Sequence, residues 1–539
     1  YQLLLLSILS GVLLYFSWPV AGRSILLFVG FIPLLFIEDH FYKAKKSLSG
    51  LNVFGYSYIA FFIFNITTTW WIYYASFFGA VMAIFFNSLF MSLVMDFFHL
   101  AKKRLGEWAG YLSLLFFWIS FEYLHMDWDL SWPWLTLGNG FAMDYTWIQW
   151  YEYTGALAGS LWVLVVNILL FHFFKKMFAT TFRVSYLWLV SGVLTVALPI
   201  LFSLWMYHSY EEKGDAANVV VVQPNIDPYH EKFSGMTSNK QLDKLLHLAN
   251  EKTDDKTDFL IGPETAIPQG IWELEVNETW SMDSIRKLTN KFPRLRVVLG
   301  LASYKLFNPG EPLSITARPH KENGEVVYYY DECNTAMYLC PGKSPQFYHK
   351  SKLVPGVEMM PFPRYLKFLE SFALDLGGSV GSLGKQDERT VFDGGDKFKI
   401  APVICYESIY GEYVGEYVRN GANLIFIITN DGWWGDTPGY RQHCAYGRLR
   451  AIEMRRSIAR SANTGISCFI NQRGDIISPT QWWQADVIRG KILANNEMTF
   501  YAKNGDYIAH AFLYVSALVL LMQIFYWARK KWFLKSLEK

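Results

Sequence analysis

Apolar residues along this 539-residue chain follow two different rhythms. Over the first 210 residues and the last 35 they form long, nearly unbroken stretches. Between these regions they come in short runs separated by charged and turn-forming residues. A helix needs roughly 20 mostly apolar residues to cross a hydrocarbon core. Eight stretches are candidates, near 2–18, 23–38, 52–73, 77–99, 109–125, 155–174, 185–207 and 508–527. The first two are short and could form a hairpin. No small-residue cleavage site follows the first, so it does not read as a signal peptide.

From residue 215 the pattern becomes short strands alternating with amphipathic helices. ANVVVVQPN (217–225), DFLIGPE (258–264), RVVLGLAS (296–303), FKIAPVIC (398–405) and ANLIFIITN (422–430) read as buried strands. EVVYYYDECNTAMYLC (325–340) reads as a hairpin or long strand pair, and GISCFINQRGDII (465–477) as a hairpin turning at Arg-Gly-Asp. Helices are predicted over 239–254, about 281–291, and 440–460. This is α/β alternation around a mixed sheet. The expected organisation is a seven-helix membrane domain (1–209), an α/β domain (210–505), and an eighth span with a tail (506–539).

Composition agrees with that division. Hydrophobic residues make up 52% and charged residues 18%, against about 25% charged in ordinary soluble domains. The net charge of +2 supplies no bulk attraction to nucleic acid. Where the charges fall is more informative. Lys43, Lys45 and Lys46, then Lys102, Lys103 and Arg104, then Lys175, Lys176 and Arg183, and finally Arg529, Lys530, Lys531 and Lys535 follow alternate spans. The intervening loops hold Arg23 and almost nothing else positive, while 127–153 holds Asp127, Asp129, Asp144 and Glu152. The positive-inside rule then predicts cytoplasmic termini, with residues 210–505 on the outer side. The chain starts at Tyr1 rather than Met, so a few preceding residues are expected to be missing.

The loop 127–153 is rich in rings: Trp128, Trp132, Trp134, Phe141, Tyr145, Trp147, Trp150, Tyr151 and Tyr153. They read either as an interfacial belt or as a floor for a lipid substrate. Glu122, inside the fifth span, is either functional or a packing group near the interface. The five cysteines all lie in the middle region, and an odd number leaves at least one unpaired within the chain. Cys333 and Cys340, seven apart in a strand-like segment, fall on opposite faces and are not expected to bridge. Cys333, Cys340 and Cys468 are expected to be buried spectators. No cysteine spacing resembles a zinc site, and adjacent His443 and Cys444 lack a third ligand nearby. No metal and no cofactor are expected.

Chemistry in α/β sheets gathers at the carboxyl ends of strands. Glu264 and Cys405 end two strands, and Lys350 precedes a Pro-Gly turn. Cysteine is nucleophilic as the thiolate. A glutamate held near neutrality by burial can take its proton, and an ammonium can stabilise both thiolate and oxyanion. Taken singly, each residue has an ordinary reading: a buried small hydrophobe, a turn carboxylate, a solvated lysine.

Together, GPETAIP (262–268), YHKSKLVPGVEMMPF (348–362) and ICYES (404–408) resemble the Glu, Lys and Cys motifs of the nitrilase superfamily. ECNTAMYL (332–339), ITNDGWWGDTPGYRQH (428–443) and RSANTGIS (460–467) extend the match. With the flanking spans, and with SWPWLTLGNG (131–140) and KNGDYIAH (503–510), the chain resembles the bacterial apolipoprotein N-acyltransferases. That resemblance implies an αββα sandwich attached to eight transmembrane helices. It also implies a phospholipid acyl donor, typically phosphatidylethanolamine, and a cysteine thioester. The acceptor would be a diacylglyceryl apolipoprotein, and the location the inner membrane, with the catalytic domain on the periplasmic side. A monomer is expected. By motif position Cys405 would be the nucleophile, Glu264 the base and Lys350 the oxyanion stabiliser. Glu358, Tyr406, Glu407 and Asn334 would support them, with Phe233 and Trp433 contacting substrate.

The chain departs from the family pattern in two places. Pro355-Gly356-Val357-Glu358 replaces the usual Pro-Phe-Gly-Glu, with a second lysine, Lys352, close to Lys350; the register with Glu358 favours Lys350. Phe233 stands where the family usually carries Trp. Residues 361–378, with Leu366, Phe368, Leu369, Phe372 and Leu374, read as a core helix or as an arm dipping into the bilayer surface. Two other functions stay open: a membrane-tethered amidase using water as acceptor, and a transporter or receptor with a non-catalytic outer domain. Eight spans weigh against the first and an intact Glu–Lys–Cys set against the second.

Overall fold

The computed structural model describes residues 1–44, 49–178, 185–233, 235–362 and 382–537. Beyond residue 362, the segment read as a core helix or bilayer arm lies outside these residues. The chain forms two compact units: Tyr1–Trp70 with Ala80–Ser209 and Asn504–Lys539, and Trp71–Gly79 with Tyr210–Lys503.

The first unit is helical. Its main helices are α1 (Gln2–Phe16), α2 (Ile32–Ala44), α3 (Ser49–Thr69), α4 (Phe77–Leu105), α5 (Glu107–Leu124), α6 (Ala156–Phe178) and α7 (Ser185–Ser209), with a later helix after the second unit. Among the described residues, six helical segments are long and apolar enough to cross a membrane: Ser24–Ala44, Ser49–Thr69, Phe77–Leu105, Ala156–Phe178, Tyr186–Ser209 and Tyr507–Arg529. The other two expected spans are helical but fall outside this set. Helix α1 has 15 residues, and Glu107 and Glu122 lower the hydropathy of α5.

Packing in this unit relies on rings and buried polar pairs. Trp118 stands edge-on to Phe31 at 4.9 Å. Glu122 accepts hydrogen bonds from Trp118 Nε1 and the Leu137 amide, both 2.9 Å, so it anchors the following loop and matches the packing reading. The aromatic loop divides. Trp134, Phe141 and Tyr151 are fully buried, Phe141 against Trp162 at 5.1 Å, so these rings form core rather than a belt or an open floor. Lys102, counted above as a loop cation, is buried at the end of α4. Its ammonium lies 2.6 Å from Glu38 Oε2, and His99 Nδ1 lies 2.8 Å from Glu38 Oε1.

The second unit contains two sheets. Its strands are β1 (Asp215–Gln223), β2 (Phe259–Ile261), β3 (Ile267–Trp272), β4 (Arg296–Leu306), β5 (Arg318–Glu322), β6 (Glu325–Leu339), β7 (Gln346–His349), β8 (Phe392–Asp393), β9 (Lys399–Ile404), β10 (Leu424–Thr429), β11 (Ile458–Ala462), β12 (Cys468–Ile470), β13 (Ile476–Ile477) and β14 (Asp486–Ala494). One sheet runs β14-β1-β2-β4-β6-β5, with β3 added to β4 and β7 to β6; the other runs β13-β12-β11-β10-β9-β8. Strands β1, β2 and β4 are mutually parallel, as are β9, β10 and β11.

Strand pleating sends alternate residues to opposite faces. Val220, Val222, Leu260, Val297 and Leu299 pack with Leu242 and Leu245 of α8 (Ser238–Lys252) and with Ile285 and Leu288 of α9 (Trp280–Lys291). On the other face Phe259 meets Phe426 of the second sheet at 5.3 Å. Helices α10 (Gly411–Arg419) and α11 (Pro438–Met454) pack beside the second sheet, which completes an αββα sandwich. The remaining helix of the first unit is α12 (Tyr507–Leu537), bonded to α5 through Ser516 and Ser120 at 2.9 Å.

Two predicted elements change. Residues 325–339 are one 15-residue strand whose hairpin partner is β5, because Asn323-Gly324 supplies the positive-φ turn upstream. The helix predicted over 440–460 ends at Met454, where Arg455 turns into a left-handed conformation and the chain enters β11. Arg450, Arg455 and Arg456 are buried. Arg450 pairs with Glu453, while Arg456 donates to the carbonyls of Ala422 and Glu497.

Candidate active site

Cys405 follows β9 directly, with φ +50° and 7% exposure, and opens a short turn over Cys405–Ile409. A left-handed conformation at a residue with a Cβ costs roughly 1–2 kcal/mol, so the surroundings must hold it. Glu264 lies just past β2. Gly300 on β4 is needed there, because a Cβ at that position would stand 2.7 Å from the Glu264 Cα. Asn334 sits on β6, and Lys350 leaves β7 with its amide bonded to the Asn334 carbonyl at 2.8 Å.

These elements converge. Lys350 Nζ donates to Glu264 Oε1 at 3.0 Å and to Glu358 Oε1 at 2.8 Å. Asn334 Nδ2 donates to the same two oxygens, at 2.7 and 3.0 Å. Since Nδ2 faces two carboxylates, the amide orientation is fixed, and its buried Oδ1 has no donor among the described residues. Glu358 Oε2 accepts from the Val354 amide at 2.8 Å, which fixes the turn after the lysine.

Burial opposes ionisation of Glu264, but Lys350 and then Asn334 outweigh it and hold the carboxyl below its ordinary range. The expectation of a glutamate raised toward neutrality therefore fails, because a full ammonium touches it. Burial likewise opposes the charge of Lys350, yet Glu264 and Glu358 keep the ammonium well above the usual lysine value. Burial, reinforced by Glu264, raises the Cys405 thiol, with Lys350 pulling the other way. At rest the arrangement is a neutral thiol beside an ionised carboxylate and an ammonium. It can transfer a proton from sulfur to carboxylate as the sulfur attacks, with a cation in place for developing negative charge.

Glu407 ties two parts together. Its Oε1 accepts from Tyr348 and Tyr413 hydroxyls, each at 2.6 Å, and from the Ser351 amide at 2.7 Å. Its Oε2 accepts from the Ile404 amide at 2.9 Å. One carboxylate thus links the residue after Lys350 to the residue before Cys405. Tyr406 is buried with its ring 5.3 Å from Tyr410. Lys352 extends its ammonium over the Tyr410 ring at 5.2 Å. Phe233 is exposed and stacks on Trp433 at 6.0 Å, and Tyr229 donates to the Trp433 carbonyl at 2.6 Å.

Lys232 was missed by sequence reading. It is 3% exposed, donates to the Glu264 carbonyl at 3.0 Å, and lines a cavity of about 430 Å³ with Phe233, Pro268 and Gln269. Burial lowers its pKa to about 8, against the pull of Glu264 and Cys405. A lysine immediately before an aromatic residue carries no local signal of this. Among the described residues no group of His, Cys, Asp and Glu is arranged to hold a metal ion. His443 is engaged with Asp431, and Cys444 lies 3.9 Å from Cys468.

The two-sheet sandwich with a strand-end cysteine beside Glu and Lys defines the class. The family profile described as carbon-nitrogen hydrolase matches residues 218–496, and that of the apolipoprotein N-acyltransferase N-terminal domain matches residues 10–169. An apolipoprotein N-acyltransferase from Chlorobaculum tepidum is 31% identical over 532 residues, covering 96% of both chains. One from Geobacter metallireducens is 27% identical over 531 residues, covering 96% of this chain and 94% of the relative. This chain belongs to the apolipoprotein N-acyltransferase family, whose members are multi-pass membrane enzymes. Among solved structures, an amidase of the nitrilase superfamily from Nesterenkonia aligns with TM-score 0.36 and 14% identity, over 56% of this chain and 97% of that one.

Proposed function

We propose that this enzyme moves an acyl chain from a phospholipid to the N-terminal amine of a diacylglyceryl-cysteine apolipoprotein, through a thioester on Cys405. The observation that carries this reading is the buried Glu264–Lys350–Glu358 set acting on a strand-end cysteine, in a chain aligned along its length with named N-acyltransferases.

In the first step Cys405 Sγ attacks the ester carbonyl while its proton passes to Glu264, and Lys350 stabilises the oxyanion. The intermediate collapses, and the lysophospholipid leaves carrying the proton that Glu264 returns to its oxygen. In the second step the acceptor's α-amine attacks the thioester and loses a proton to Glu264. Collapse then forms the amide and regenerates the Cys405 thiol. Phe233 and Trp433 supply an apolar surface for acyl chains, and the buried Asn334 Oδ1 is an acceptor left for substrate. No external energy source is needed, because the ester already holds the acyl group. Lipid anchoring of both substrates raises their local concentration at an enzyme held in the same bilayer.

The finer reading assigns residues 210–505 to a periplasmic catalytic domain and uses α1 and α5 as two further spans, eight in all. It places the enzyme in the inner membrane as a monomer, with phosphatidylethanolamine as donor. The test incubates the full chain, reconstituted in phosphatidylethanolamine vesicles, with a diacylated lipopeptide. The expected product is the lipopeptide heavier by one acyl chain, together with lysophospholipid. Release of free fatty acid without acylated peptide would assign water as the acceptor and overturn the reading. Cys405→Ala should remove both the products and the thioester.

A further inference from the structure

The backbone at Cys405 is secured on both sides. Glu407 holds the Ile404 amide before it. After it, the carbonyl of Cys405 accepts from Ser408 Oγ at 2.7 Å and lies 3.1 Å from His443 Nε2. His443 Nε2 also lies 2.9 Å from Ser408 Oγ, so the ring backs both ends of the Ser408–Cys405 hydrogen bond. The ring is held in turn. Its Nδ1 lies 2.9 Å from Asp431 Oδ1, and Arg460 Nη2 donates to Asp431 Oδ2 at 2.7 Å. Thr429, at the end of β10, adds a hydrogen bond to Asp431 Oδ1 at 2.8 Å. Trp434 covers the imidazole edge-on at 5.4 Å. Asp431, His443 and Arg460 are all essentially inaccessible to water.

Burying three ionisable groups is costly unless each is paired. Arg460 and Asp431 would balance each other without His443. The histidine adds two contacts they cannot make, to the Ser408 hydroxyl and to the carbonyl of the nucleophile's own peptide. That carbonyl's direction and the left-handed φ of Cys405 are coupled, and both decide where Sγ points.

We propose that His443, held by Asp431 and Arg460, is a positioning residue for the acylation step: its Nε2 braces the Ser408 hydroxyl and the Cys405 carbonyl and thereby aims the thiol at the incoming ester. The proposal rests on the thioester reading above. His443, which beside Cys444 in the sequence suggests at most a poor metal site, is instead the inner end of a buried Arg–Asp–His chain.

The test measures the rate of thioester formation on Cys405 with full-length enzyme in phosphatidylethanolamine vesicles, by intact mass, beside the thermal unfolding midpoint. Misplacing a reacting group by about an ångström costs on the order of 100-fold in rate. His443→Ala is expected to slow acylation by about that factor, with the KM for phospholipid unchanged. His443→Gln, whose side-chain amide reaches the same point as Nε2, should recover to within about tenfold of wild type. His443→Asn, one bond shorter, should stay slow. If His443→Ala does not fold, the Gln and Asn variants carry the comparison. Wild-type rates in His443→Ala, or equal slowing in the Gln and Asn variants, would overturn the proposal. Absence of a Cys405 thioester in the wild-type enzyme would instead refute the underlying function, so the two failures are distinct.

Discussion

Lys350 and Lys352 stand two residues apart, yet their surroundings differ completely. Lys350 touches two buried carboxylates, whereas Lys352 lies over a tyrosine ring. Lys350→Ala should lower turnover by at least about 100-fold, as loss of an oxyanion donor does. Lys352→Ala should stay within about tenfold; the reverse ranking would misplace the family register. Lys232 gives a pH prediction. Its pKa falls from 10.5 to about 8 on folding, so between those values the unfolded chain binds more protons and stability rises with pH. The contribution is complete above 10.5 and lost as pH falls through about 8. At about 1.4 kcal/mol per unit the window holds about 3 kcal/mol. Lys232→Met should flatten the rise in unfolding midpoint between pH 8 and 10 relative to wild type. Glu264, Lys350 and Cys405 were visible in the sequence because each lies in a motif of its own and the order is informative. Lys232 and His443 were not, because each acts by touching the backbone of a residue distant along the chain.

At the scale of elements, two loops meet at Glu407. The turn after β7 carries Lys350, and the turn after β9 carries Cys405. Glu407 binds the amide of Ser351 in one and of Ile404 in the other. Glu407→Gln replaces an acceptor by a donor facing buried donors, a loss of about 1–3 kcal/mol. Turnover should fall more than the KM for phospholipid rises, because both reacting groups shift together; an unchanged acylation rate would show that the two turns keep their spacing without it. Strand periodicity predicted β1, β2, β4, β9 and β10 well because buried parallel strands are continuous apolar runs. The end of α11 was misjudged because Arg455 and Arg456 resemble a polar helix face, while their partners are carbonyls from other elements.

For the whole molecule, the division into a helical unit and a sandwich was readable from the distribution of apolar residues alone. The loop 127–153 was harder, since a bilayer-interface belt and a packed core draw on the same rings, and only burial separates Trp134 and Tyr151 from Trp128 and Tyr153. The helical unit also holds a buried ionic cluster. Lys102→Met should destabilise it by about 3–5 kcal/mol by leaving Glu38 buried beside His99 without its ammonium. Adding Glu38→Gln should restore part of that loss, read by unfolding of the full chain in detergent.

Lys102 therefore has two careers, separated in time. In a chain emerging from synthesis, before α2 and α4 have met, its charge is not yet paired with Glu38, and by the positive-inside rule it would count with Lys103 and Arg104 in setting the direction of the helix. Once the helices assemble, Glu38 neutralises it and Tyr42 and Tyr111 close over it. A free cation becomes a latch, and a helix inserted the wrong way round would carry that lysine away from Glu38.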